Sequence, residues 1–108
     1  MRIDLTNTTY HARVERANRM VQVSKLEIGI PVATIEEYNK KGNKTIVTLT
    51  DTGVVVILDP KTNTIITLFL ASVDRAAAIY KEAYGTRRRL PDQLYNQIKI
   101  NKITFNLE

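Results

Sequence analysis

Between residues 45 and 70, three short apolar runs are separated by two clusters of turn-forming residues, and no other part of the chain is so restricted in what it can become. The runs cover residues 45–49, 54–58 and 64–70. Asp51-Thr52-Gly53 separates the first two and Asp59-Pro60-Lys61-Thr62-Asn63 the last two. Asp, Asn, Pro and Gly favour turns for distinct reasons: side-chain bonding to the backbone, a fixed φ, or tolerance of positive φ. Connections this short join antiparallel neighbours. The middle run, Val54-Val55-Val56-Ile57-Leu58, is apolar at every position, as expected of a strand buried on both faces. The stretch therefore reads as an antiparallel meander.

The flanking sequence adds helices and further strands. Residues 2–5 suit a short strand. Thr8 or Thr9 can cap a helix over residues 10–21, whose stripe of Tyr10, Val14, Ala17 and Val21 would face a core. Ser24-Lys25-Leu26-Glu27 has capping-box spacing, so a brief helical turn can begin there and end at Gly29 and Pro31. Residues 32–41 admit two readings. Pro31 and Gly42 would bracket a helix, whereas Val32, Thr34, Ile35 and Tyr38 suit a strand entering a hairpin at residues 40–43; the balance favours the strand. After the meander, Ser72 caps a helix over residues 73–84, with Val73, Ala76, Ala77, Tyr80 and Tyr84 on one face and Gly85 as its stop. Thr86-Arg87-Arg88-Arg89 is a basic loop. Pro91 opens a short helix through Ile98 that turns Leu90, Leu94 and Ile98 inward. Ile103, Phe105 and Leu107 alternate with Thr104 and Asn106, the period of a half-buried strand. The expected class is α+β: an N-terminal helix packed on an antiparallel meander of three to five strands, then a C-terminal helix and strand extension.

A chain of 108 residues is expected to form one domain. Lacking a run of about 20 apolar residues, it is expected to have no membrane span. An acid at Asp4 and the missing hydrophobic stretch argue against a secretory leader. Absent cysteines exclude disulfides and fit a cytoplasmic protein. With 16 Lys and Arg against 11 Asp and Glu, the net charge of +5 favours a polyanionic partner. One histidine and no cysteine argue against a zinc site, and the scattered acids give poor support to a two-metal nuclease. No Gly-rich phosphate loop or Ser–His–Asp arrangement stands out, so no cofactor is expected.

Chemistry concentrates at one place. His11, the single histidine, opens the stretch His11-Ala12-Arg13-Val14-Glu15-Arg16-Ala17-Asn18-Arg19. On a helix, His11, Glu15 and Arg19 follow one another along a flank, with Arg16 a little further round. Such a flank can hold an anion beside a base, or be a solvated face with ordinary charge pairs.

The order of these features resembles the barnase–EndoU–colicin–RelE superfamily of metal-independent ribonucleases, which includes toxins of bacterial and phage conflict systems. His11-Ala12 opens a helix, with Arg19 eight residues on, as in toxin-type members. Thr52-Gly53-Val54-Val55-Val56-Ile57-Leu58-Asp59 is similar to the central strand after a glycine turn. Asn63-Thr64-Ile65-Ile66-Thr67-Leu68-Phe69 is similar to the last core strand, with a hydroxyl among apolar residues. The likeness covers about residues 9 to 70. Met20 stands where the family places a glycine after the arginine, and residues 73–108 have no counterpart, so they read as an extension.

The resemblance implies RNA cleavage by attack of a ribose 2′-hydroxyl on the adjacent phosphate. Histidine suits the proton transfer because its pKa lies near neutrality. Arginine suits the phosphate because its planar guanidinium binds two oxygens and stays charged. His11 is therefore the expected base or acid, Arg19 and then Arg16 the expected stabilisers of the phosphorane, and Thr67 a hydroxyl contact to the scissile phosphate. Thr67 serves equally as a strand residue chosen for β-propensity. Glu15 orients His11 or pairs with Arg19. Arg13 lies nearer the core side and can extend outward to RNA. Arg87, Arg88 and Arg89 can grip a phosphate backbone or form a solvated loop paired with Asp92. The implied partners are tRNA, mRNA or ribosome-associated RNA and a cognate inhibitor protein. A non-catalytic module of phage or mobile-element origin, binding nucleic acid or protein, is the alternative. A third reading is a dimer formed through the edge at residues 103–107.

Overall fold

Strands occupy the first half of the structure, a computed structural model that describes residues 29–104. β1 (Pro31–Tyr38), β2 (Lys44–Thr50), β3 (Val54–Asp59) and β4 (Thr64–Leu70) form a four-stranded sheet in the order β1-β2-β3-β4. Every neighbouring pair is antiparallel. The ambiguous segment is thus a strand. Ala33 and Ile35 are buried while Thr34 and Glu36 face outward, an alternation that a helix would not give. The Asn39 carboxamide closes the hairpin after β1 by accepting the backbone N–H groups of Lys41 and Asn43. In the turn after β3, the Asp59 carboxylate accepts the Lys61 N–H, and Asn63 takes a positive φ.

The register sorts the sheet into two faces, because directly paired residues point the same way. Ala33 pairs with Leu49, Ile35 with Val47, Leu49 with Val55 and Val55 with Phe69, which defines the first face. Val54, Val56, Leu58, Ile65 and Leu68 form a buried cluster on the second. β3 is therefore buried on both sides, as its unbroken apolar run requires. The pairing shifts between Ile57 and Leu58, so Leu58 lies opposite Ile65 and Ile66 is bulged out.

Two helices pack on the first face. α1 (Val73–Tyr84) has its N-cap where the sequence places it: the Ser72 hydroxyl accepts the Arg75 N–H at 3.1 Å. It stops at Gly85, whose N–H bonds the Lys81 carbonyl and whose φ of 115° favours glycine. The buried edge of α1 is Ala76 and Ile79, with Val73, Tyr80 and Ala83 at its margins. It is rotated from the expected face, so Tyr84 lies half in solvent, its ring against Tyr80 and its hydroxyl donating to the Val32 carbonyl. α2 (Asp92–Thr104) buries Leu94 and Ile98, with Leu90 packed beside them, as expected. These side chains join Ala33, Ile35, Val47, Leu49 and Val55 in the main core.

α2 corrects the expected C-terminal strand. Ile103 and Thr104 belong to its last turn, not to a strand, and Ile103 is 80% exposed. The reason lies one turn earlier. Asn101 is buried, donates its Nδ2 to the Thr52 carbonyl at 2.8 Å and accepts from Gln97 Nε2 at 2.9 Å. These bonds and the seat of Ile98 hold residues 97–101 in helix, and the backbone ladder carries on through 104. Residues 105–107 of that expected strand, and the expected elements before Gly29, lie outside the described residues.

Candidate nucleic-acid interface

The loop between α1 and α2 is fixed at both ends and open in the middle. The Arg88 N–H bonds the Gly85 carbonyl, so the chain turns sharply as it leaves α1. Leu90 anchors the far end in the core. Between them Arg87, Arg88 and Arg89 are all exposed. Adjacent guanidinium groups repel one another and gain from a shared anion.

Two cations of β2 and α1 are paired with acids. Lys44 Nζ lies 2.8 Å from Glu36 Oε1, and that hydrogen bond, with the attraction of the carboxylate, raises the Lys44 pKa above its ordinary value. Arg75 Nη2 straddles the Glu37 carboxylate at 3.0 and 3.2 Å, tying α1 to β1. By contrast, none of the three loop arginines makes an ion pair or side-chain hydrogen bond among the described residues, so the pairing with Asp92 that the solvated-loop alternative allows is not formed.

α2 carries two further cations. Lys99 and Lys102 are exposed, and Lys99 Nζ lies 5.5 Å from the centre of the Tyr95 ring, which is 40% exposed. Sequence reasoning alone does not bring Tyr95, Lys99 and Lys102 into the site. Their signal is a tyrosine followed by lysines four and seven residues later, legible only once the helix is known to extend past Ile98.

Thr67 lies on edge strand β4 opposite Ile57, on the same face as the helices. α1 leans over β1 and β2, away from it. Thr67 is half-buried, and its hydroxyl has no hydrogen-bond partner among the described residues. The structure does not bring Thr67 together with Arg87–Arg89 in any direct contact. His11, Arg13, Arg16 and Arg19 lie outside the described residues. Among the described residues, no three His, Cys, Asp or Glu side chains are grouped to hold a metal ion, and no helix is long and apolar enough to cross a membrane.

Comparison with family models, with curated proteins and with solved structures finds no match to this chain.

Proposed function

We propose that this protein is a metal-independent endoribonuclease that cleaves RNA by attack of the 2′-hydroxyl on the adjacent phosphate. The observation that carries the RNA partner is the exposed Arg87–Arg89 triplet, left without an acid partner among the described residues while Arg75 and Lys44 are neutralised. The cleavage step rests on the sequence. His11 is the one side chain in the protein whose ordinary pKa suits proton transfer near neutrality, and it shares a short segment with Arg16 and Arg19. In this reading His11 moves the proton, Arg19 and Arg16 stabilise the phosphorane, and the Thr67 hydroxyl is available to a phosphate oxygen. Arg13 and the loop arginines hold the flanking backbone. A cognate inhibitor would have to cover these cations.

The same arginine triplet also suits a non-catalytic nucleic-acid-binding module, and one experiment separates the two. Purified protein is incubated with total RNA in EDTA beside His11→Ala and Arg19→Ala variants. Cleavage should leave 2′,3′-cyclic phosphate ends and fall by about 10²-fold or more in each variant, with thermal midpoints preserved. Intact RNA bound by a folded wild-type protein would reject the ribonuclease in favour of the binding module.

A further inference from the structure

We infer that one single strand of RNA lies along the loop before α2 and the adjoining flank of that helix, with phosphates on Arg87, Arg88, Arg89, Lys99 and Lys102 and a base stacked on Tyr95. The inference deepens the reading above and rests on it for the choice of RNA over other polyanions.

Three observations converge on this surface. First, the charge of this segment is unbalanced: residues 85–104 carry these five cations and a single acid, Asp92. Second, the helix aligns them. At 3.6 residues per turn, Tyr95, Lys99 and Lys102 fall within about 60° of one another and span about 10 Å of axis. The residues that seat α2 on the sheet, Leu94, Ile98 and Asn101, lie to one side of that stripe. Third, Tyr95 differs from Tyr80 and Tyr84 in its contacts among the described residues. Tyr80 and Tyr84 pack against each other with their rings tilted by 49°, and the Tyr84 hydroxyl donates to β1. The Tyr95 ring is partly exposed, with Lys99 Nζ 5.5 Å from its centre, and its hydroxyl has no partner among the described residues. A tyrosine face beside an ammonium, on the helix that follows an arginine loop, is a combination that binds an unpaired base and its phosphate together. A duplex offers no free base face to the ring, so the strand is single.

The test uses the full chain carrying His11→Ala, so that binding is read without cleavage, and a fluorescein-labelled 12-nucleotide single-stranded RNA in EDTA over a range of salt. Replacing Arg87, Arg88 and Arg89 together by Ala should weaken binding at least tenfold and flatten the plot of log affinity against log salt by about 2, near 0.7 for each phosphate that is no longer neutralised. Tyr95→Leu should weaken binding about 5- to 100-fold with the salt slope unchanged, and Tyr95→Phe should bind like the parent. Tyr95→Leu binding like the parent would overturn the stacking platform, as would equal affinity for the same RNA in a duplex or no binding by the parent. Each of these results is scored apart from cleavage by the wild-type protein, so this inference can fail while the ribonuclease reading stands.

Discussion

At the scale of single residues, the junction between Gly53 and α2 decides how the C-terminal half sits on the sheet. Gly53 has a φ of 82°, in the left-handed region that favours glycine. A Cβ there would meet Asn101 Nδ2 and Ile98 Cγ1, each at 3.0 Å, so strain and crowding act together. Gly53→Ala should therefore cost about 2–3 kcal/mol in urea unfolding, combining left-handed strain with a displaced helix. A loss under about 0.5 kcal/mol, the range of an ordinary surface substitution, would show that α2 does not depend on this contact. Asn101→Ala should cost about 1–3 kcal/mol, because it removes the buried donor to the Thr52 carbonyl. Asn101→Leu should not restore stability, since the missing element is the donor and not volume. Gly53 is legible in the sequence as a turn residue. Asn101 is not, because nothing in the residues around it signals a partner 49 positions away.

At the scale of elements, legibility follows how local the cause is. The meander and α1 can be read from the sequence because their turns and caps are made within a few residues: Asp59 to Lys61, Asn39 to Asn43, Ser72 to Arg75. Ser72→Ala should therefore destabilise the protein by about 1 kcal/mol, measured by thermal unfolding, and Ser72→Asp should hold most of that stability. An unchanged midpoint in Ser72→Ala would mean that tertiary packing alone sets the start of α1. β1 is ambiguous in sequence because propensity and punctuation disagree, and its pairing with β2 settles the matter. The rotation of α1 also lies beyond local reading. Val73, Ala76, Ala77, Tyr80 and Tyr84 make a plausible stripe, yet Ile79 fills the core and Tyr84 reaches the rim of β1. The expected strand at residues 103–107 fails at its start for the converse reason: its period-2 pattern is real, but Ile98 and Asn101 already commit the preceding turns to helix. Of the candidate site, the loop arginines are visible as a charge cluster, while the contribution of Tyr95, Lys99 and Lys102 depends on the length of α2.

At the scale of the whole molecule, the two helices do two jobs that mutations can separate. Their inner side chains close the main core over Ala33, Ile35, Val47, Leu49 and Val55, while their connecting loop and outer flank carry the cations. A chain cut after residue 72 would leave that sheet face bare, so it should show no cooperative unfolding transition. Ile79→Ala or Ile98→Ala opens a cavity in the core and should cost about 2–5 kcal/mol. At a temperature where such a variant is still folded, its affinity for single-stranded RNA should stay close to that of the parent, because its surface is unchanged. The triple arginine variant should behave in the opposite way, with stability within about 0.5 kcal/mol of the parent, since those side chains are exposed and make no ion pair among the described residues, and with RNA affinity reduced. Measuring urea midpoints and RNA affinity on the same preparations tests the separation. If Ile98→Ala lost affinity as steeply as the arginine variant while remaining folded, the recognition surface would have to depend on the exact seating of α2. The arginines and Tyr95 would then act through the packing of that helix and not as an independent grip on the strand.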